Sequence, residues 1–294
     1  MDELEQITDL QRTLYHELSS SQILVPVEAH LGLLVELLEG RQPDAVRRRL
    51  AVAAGEAAGF AAWIWFDLGD LHKMGLLYRM AGDLLSDAGD RALWSYVTGY
   101  RALTHEASGL GREAVEYADA ALHRTPTSTS HVARSWLCAV GASAAALVDA
   151  RRDSVPELLG QARDYLDSAG GREAWMYDFD HTALAAHRGQ CHLRLGRPTE
   201  AIVAFSEGIT ELPAGHDRRG AQLTIGLAQA HLDAGDPEAA LVRTNAALDV
   251  FAARGSASGL RRVRRMRDRF WEVGHRAAAE EIDGRVRAYL EGAS

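Results

Sequence analysis

The chain has little cysteine, little proline and no long apolar run. There are 2 cysteines and 7 prolines in 294 residues. Cys138 and Cys191 lie in separate apolar stretches without a C-x-x-C spacing. That excludes a disulfide framework and reads as two buried free thiols in a reducing compartment. The longest uninterrupted apolar run, Gly59 to Phe66, is too short to span a bilayer, so no membrane partner is expected. The acidic opening Met1-Asp2-Glu3-Leu4-Glu5 does not read as a secretory leader, and a cytoplasmic location is expected. Positive charge is also scarce: 32 Lys and Arg face 41 Asp and Glu, for a formal net charge of −9. Neutralising phosphates needs clustered cations, so this balance argues against DNA as a direct partner. G-x-G-x-x-G, Walker A, H-E-x-x-H and G-x-S-x-G are all absent. No catalytic residue is assigned, and neither a cofactor nor a metal is expected.

What the chain does have is helical material and a recurring turn. It is 47% hydrophobic, rich in Ala, Leu and Arg, and shows no period-2 alternation of β-branched residues. This favours an all-α fold. Leu68-Gly69-Asp70, Leu195-Gly196-Arg197 and Ala234-Gly235-Asp236 share one pattern, an apolar residue, glycine, then a polar residue. Looser versions are Ser108-Gly109-Leu110, Arg152-Asp153-Ser154 and Val273-Gly274-His275. Successive centres lie 40, 44, 43, 39 and 39 residues apart, a period that signals stacked helical repeats.

The spacing predicts helices over 2–18 and 27–39, with Ser19-Ser20-Ser21 and Pro26 as breakers and Gly40 as a left-handed cap. A helix from about 44 to Gly69 follows, bent near Gly55. Then come 71–87, 90–107 with 111–124, 129–149 with 155–168, 175–195 with 198–211, 216–234 with 237–253, and 256–272 with 275–291.

The best-formed repeat runs from Asp178 to Pro213. Gly189 sits seven residues before Gly196, and Ala201, Phe205 and Pro213 follow. This resembles the tetratricopeptide repeat. Small residues at Gly189 and Ala201 let paired helices approach, and Phe205 fills the gap to the next pair. The repeats here exceed the usual length of about 34 residues. A narrower resemblance rests on Val46 to Gly59 followed by Phe66-Asp67-Leu68-Gly69-Asp70. It rests also on Asp178-Phe179-Asp180-His181 leading into Leu184 to Cys191. Both stretches are similar to the sensor half of actinobacterial helix-turn-helix regulators, although no helix-turn-helix fits ahead of them. The resemblance implies an all-α, right-handed superhelical solenoid. A single domain over 1–294 is expected, with capping helices in 1–42, repeats in 43–274 and a C-terminal helix in 275–294.

In such arrays the first helix of each pair lines the concave groove. Anchoring the register on the turn glycines puts Glu56, Phe60, Trp63, Phe66 and Asp67 inward, then Tyr96, Tyr100, Leu103 and Glu106. His187, Gln190 and Arg194 follow, with Gln229, and then Arg261, Arg264 and Arg265. The expected ligand-binding set is Trp63, Phe66, Tyr96, Tyr100, Glu106, His187, Gln190, Arg194, Gln229, Arg261 and Arg264. The aromatic group Phe60, Trp63, Trp65, Phe66, Tyr78, Trp94, Tyr96 and Tyr100 forms either an apolar wall for a ligand or interhelical packing. His181, His187 and His192 with Asp178 and Asp180 suggest a metal site by composition. Their spacing along one helix speaks against it, since His181 and His192 are separated by about 16 Å of axial rise. His105, His192 and His231 occupy equivalent positions and read as packing groups. Arg261 to Arg269 carries six arginines, either a carboxylate- or phosphate-binding stripe or a salt-bridged surface.

Three functions follow. The first is a regulatory sensor or adaptor that holds a small molecule or peptide in the groove, the arginines suggesting an acidic group on the ligand. The second is a biosynthetic enzyme on a repurposed scaffold, with His187, Glu106 or Asp180 as acid or base. The third is a protein-interaction scaffold, homodimeric through the exposed face of 275–291.

Overall fold

The computed structural model describes residues 2–15, 18–176, 179–213, 215, 217–254 and 256–292. Among these, the chain is all-α. The helices are α1 (Asp2–Leu14), α2 (Ser20–Glu39), α3 (Asp44–Leu68), α4 (Leu71–Ala88), α5 (Arg91–Ala107), α6 (Gly111–Arg124), α7 (His131–Ala145) and α8 (Val155–Asp167), then α9 (His181–Arg194), α10 (Pro198–Thr210), α11 (Asp217–Asp233), α12 (Pro237–Ala253), α13 (Ala257–Glu272) and α14 (Arg276–Gly292). They divide into two compact units, Met1–Asp178 and Phe179–Ser294.

The recurring turn works because its residues end one helix and start the next. Gly69 takes φ +91°, which only glycine adopts without strain, and its N–H returns to the carbonyls at the end of α3. Asp70 then accepts the N–H of Lys73 at 2.9 Å and caps α4. Asp236 does the same for α12 through Ala239 at 3.0 Å. Each unit repeats the hairpin this turn creates. In the first unit α3 pairs with α4, α5 with α6 and α7 with α8, while α2 packs on α3. In the second, α9 pairs with α10, α11 with α12 and α13 with α14. The first helices of successive hairpins also touch, α3 with α5 and α5 with α7 in one unit, α9 with α11 and α11 with α13 in the other.

Close approach is bought with small residues facing large ones. A Cβ on Gly189 or on Gly226 would lie 2.6 Å from the Phe205 ring. Phe205 is therefore wedged between α9 and α11, within a core of Leu193, Ala201, Leu223, Leu227 and Ala230. Phe251 repeats the device against Gly259 one hairpin later. The second unit also carries a ladder of ion pairs at one-repeat spacing: Asp217 with Arg254, Asp233 with Arg269 and Asp249 with Arg285. The first lies within the α11–α12 hairpin and the other two join it to the next; as surface pairs they orient these helices more than they stabilise them.

Several local expectations change. Pro26 lies inside α2 rather than breaking it. Ser19 starts the helix upstream with a capping box to Gln22, and Pro26 sits on the exposed side. Gly40 has φ −72°, an extended rather than a left-handed end. Gly55 lies inside the continuous α3; a Cβ there would sit 2.6 Å from Leu85, so this glycine admits α4. The turn at 152–154 belongs to a 3-10 helix, Asp149–Ser154. By length and composition α2 can cross a membrane, with mean hydropathy 1.4 over its apolar window. In the fold it buries Ile23, Val27 and Leu34, and a search for uninterrupted apolar runs passes over it.

Candidate ligand-binding face

The first helices of the first unit bring an aromatic cluster together. Trp63 on α3 meets Tyr100 on α5 edge-on, with ring centroids 5.3 Å apart, and Phe66 at 5.6 Å. Tyr96 and Tyr100 are 5.0 Å apart, and both touch Trp136 of α7 at 4.9 Å. Trp175 covers Tyr96 at 4.8 Å. Edge and tilted geometries of this kind suit the ring quadrupole and hold the rings at fixed angles. Trp63, Phe66, Tyr100 and Trp175 remain partly exposed, whereas Tyr96 and Trp136 are buried.

The helix expected over 175–195 begins only at His181, and the segment 171–176 ahead of it is held in a non-helical path. The Glu173 carboxylate accepts the backbone N–H of Ser130 at 2.7 Å and the Ser130 hydroxyl at 2.5 Å. It thereby caps the start of α7 and delivers Trp175 to Tyr96. Asp180 then opens α9, accepting the Ala183 N–H at 2.9 Å. Glu173→Ala is expected to cost about 1–2 kcal/mol, the loss of charge-assisted bonds. It should also raise amide exchange across 171–176 at least tenfold. Unchanged exchange there would show that Trp175 holds the segment without the carboxylate.

One ion pair edges the cluster. Glu56 on α3 meets the Arg12 guanidinium of α1, with side chains only 18% and 21% exposed. Arg12 also pairs with Asp9 and donates to the Trp175 carbonyl at 2.9 Å. Burial pushes the Glu56 carboxyl up to about 7, against the opposing pull of Arg12. Tyr15 reaches the same face: its hydroxyl accepts from Trp63 Nε1 at 2.9 Å, and its ring lies edge-on to Phe60 at 5.7 Å.

The remaining sequence-derived residues spread out. Trp65 and Trp94 leave the cluster: Trp65 donates to Glu28 and lies under Lys73, and Trp94 lies under Arg124. Tyr78 is core, 2% exposed. Asp67 is buried and accepts from the Ser20 hydroxyl, which ties α3 to the start of α2 instead of lining a groove. Glu106 lies partly buried near the end of α5. His187, Gln190, Arg194, Gln229, Arg261 and Arg264 belong to the second unit. There His187 meets Phe179 at 6.0 Å, and Gln190, Arg194, Gln229 and Arg261 are partly buried while Arg264 is exposed. In the arginine run, Arg267 pairs with Asp268 and Asp283, and Arg269 with Asp233, so the salt-bridged reading holds for these two. Burial, and next the neighbouring Arg261, hold the Arg265 guanidinium below its usual range.

Asp180, a candidate acid or base, is otherwise engaged. Burial raises its carboxyl, but bonds from Thr182, the Ala183 N–H and Arg219 outweigh this and hold it below the ordinary value. Asp178 of the composite metal set lies outside the described residues. His105 stacks on Tyr117 at 4.9 Å, a packing role. Cys138 and Cys191 are buried free thiols, and burial raises Cys138 to about 11, away from reactivity. A depression of about 310 Å³ in the second unit is lined by Leu212, Asp217, Thr224 and Val250 among others. Its one carboxylate is already paired with Arg254, and the aromatic cluster lies in the other unit.

Sequence reasoning missed Arg12, Tyr15, Trp136 and Trp175. Trp63, Tyr100 and Trp136 are spaced 37 and 36 residues apart, shorter than the 40- and 44-residue steps between the turns, so a register anchored on the turns passes over Trp136.

No protein-family model matches the chain, and no curated protein matches it. Solved structures do. Over 99% of this chain and 98% of the other, it is similar to a Rap protein complexed with competence and sporulation factor, at 11% identity and a TM-score of 0.58. It is similar to BtubC from P. vanneervenii over 81% of this chain and 93% of that one, at 17% identity and TM-score 0.52. A third likeness is to a signal-transduction ATPase with numerous domains and a tetratricopeptide repeat sensor, from Pyrococcus horikoshii. It covers 92% of this chain but 40% of that one, at 11% identity and TM-score 0.54. Likeness at these identities is one of fold, and the fold is an all-α solenoid of tetratricopeptide-like helix hairpins.

Proposed function

We propose that the chain is a binding protein, a cytoplasmic regulatory sensor or adaptor that holds a small molecule or peptide on the face shared by α3, α5 and α7. One observation carries the reading. Trp63, Tyr96, Tyr100, Trp136 and Trp175 form a continuous aromatic wall across three hairpins, with Trp63, Tyr100 and Trp175 still reachable by solvent. Within the first unit the charged pair beside the wall is Glu56 with Arg12, so a ligand confined there meets a carboxylate. The acidic ligand suggested by Arg261 and Arg264 would need the second unit. The actinobacterial regulator resemblance supports a sensory role, and the free buried thiols suit a reducing compartment.

The test is native mass spectrometry of the full chain after incubation with a cell extract filtered to small molecules and short peptides. The expected result is a reproducible adduct that is lost on denaturation and absent from a folded Trp63→Ala,Tyr100→Ala chain. A bare mass for the wild type, or an adduct that survives both substitutions, would remove the aromatic wall as the binding face.

An acid–base reading draws on Glu56, a carboxyl poised near neutrality beside aromatic rings. It requires that the adduct change mass with time, and that Glu56→Gln abolish this change while keeping the adduct.

A further inference from the structure

α1 lies on the aromatic face in an unusual way. Its buried residues are Thr8 and Gln11, both polar, while Leu10 is 60% exposed. Of its apolar residues, Leu4, Ile7 and Leu14 are half-buried. Its polar attachments are Thr8 to His30 at 3.2 Å, Gln11 to the Pro26 carbonyl at 3.0 Å, and Asp2 and Glu5 to Arg49. The fit is imperfect. Gln11 Oε1 and His30 Nδ1 are buried without a hydrogen-bond partner among the described residues. Only its C-terminal end makes contacts specific to the face. There Arg12 takes Glu56 and the carbonyls of Ala174 and Trp175, and Tyr15 takes Trp63 and Phe60. A terminal helix whose apolar residues are only half-buried and whose buried residues are polar opens at lower cost than the core helices.

We infer that α1 is a tethered occupant of the aromatic face, and that the partner this face accepts is a helical peptide segment carrying an arginine three residues before an aromatic side chain. The inference rests on the binding role proposed above and names its ligand class. The chemistry follows from what α1 leaves behind. Removing it strands the Glu56 carboxylate and two carbonyl oxygens beside Trp63 and Phe60. An incoming segment must replace the guanidinium, whose planar fork serves several oxygens at once. It must also replace the ring. Because α1 is covalently tethered, it competes intramolecularly, at an effective concentration far above that of a dilute free ligand. The intact chain therefore screens out weak ligands.

The probe is a fluorescein-labelled synthetic peptide with the sequence of residues 2–18, titrated by anisotropy against the full chain. The expected result is at least tenfold tighter binding to an Arg12→Ala,Tyr15→Ala chain than to wild type. That gain should be lost when the peptide itself carries Arg12→Ala, or when the chain also carries Glu56→Gln. Equal binding to both chains, or equal binding by both peptides, overturns the inference. Should the double variant fail to fold, amide exchange on the wild type decides. The α1 amides should exchange at least tenfold faster than those of α3, and exchange of α1 only together with α3 makes it an integral part of the core. A dimer that the peptide dissolves would assign the face to a second copy of the chain and also overturn the inference. The two readings fail separately. An adduct dependent on Trp63 with no gain for the peptide removes only the role of α1. A peptide gain without any adduct removes the small-ligand sensor and leaves the helical partner.

Discussion

Phe205→Ala is expected to lower the unfolding free energy of the second unit by about 3–5 kcal/mol, the range for emptying a well-packed phenylalanine site. Two features place it at the upper end. The ring is 2% exposed, and its neighbours on both sides are glycines, Gly189 and Gly226. Glycine has no side chain to relax into the vacated space, so the cavity stays open unless whole helices shift. In a repeat array stability is roughly a sum of hairpin and nearest-neighbour terms, and Phe205 serves both, touching its partner α9 and the following α11. The loss should therefore appear as weakened coupling. Urea melts should show the second unit unfolding earlier, with helical signal from the first unit retained. A cost below about 1 kcal/mol would mean that Phe205 is not the wedge at this junction, given typical single-domain stabilities of 5–15 kcal/mol.

The same residue shows how much of the fold was legible. Gly189, Ala201 and Phe205 were recognisable because a repeat imposes the same packing problem at fixed spacing. The helix ends were recognisable because glycine followed by aspartate both stops and starts a helix. What escaped depended on contacts between segments distant in sequence. Pro26 looks like a breaker until the upstream Ser19–Gln22 capping box is weighed with it. A helix start at 175 looks natural until Glu173, just ahead of it, finds Ser130, 43 residues away.

The binding face follows the same division. Trp63, Phe66, Tyr96 and Tyr100 were placed together by register on adjacent first helices. Arg12 and Tyr15 were out of reach, because no periodicity says that a polar N-terminal helix will lie against that face. Charge pairs were equally opaque. Arg254, Arg269 and Arg285 find aspartates 36 or 37 residues earlier, a repeat-length relation that becomes meaningful only once adjacent helices are known.

The Glu56 carboxyl should make the stability of the first unit depend on pH in a direction opposite to that of most acidic groups. Its folded pKa of about 7 exceeds the ordinary value of 4.5. The folded state therefore holds a proton that the unfolded chain has released, throughout the interval between those values. The stabilisation from Glu56 is complete below about pH 4.5 and is lost as pH rises through 7. A difference of that size corresponds to about 3 kcal/mol; water access to a side chain 18% exposed brings the expectation to about 2 kcal/mol. Glu56→Gln keeps the shape and removes the titration. Groups other than Glu56 titrate alike in both chains, so the informative quantity is the difference between their unfolding free energies at pH 5, 6, 7 and 8. The wild type should lose about 2 kcal/mol relative to the variant across that range, most steeply between about pH 5 and 6.5, midway between the two values, and levelling off above 7. The physical origin is a competition. Burial penalises the charged carboxylate, Asp9, Glu5 and Asp90 add repulsion, and Arg12 alone opposes them. Arg12→Ala should accordingly raise the folded value and extend the loss of stability above pH 7. A difference independent of pH would mean that water reaches Glu56 freely, and that α1 does not seal the edge of the aromatic face.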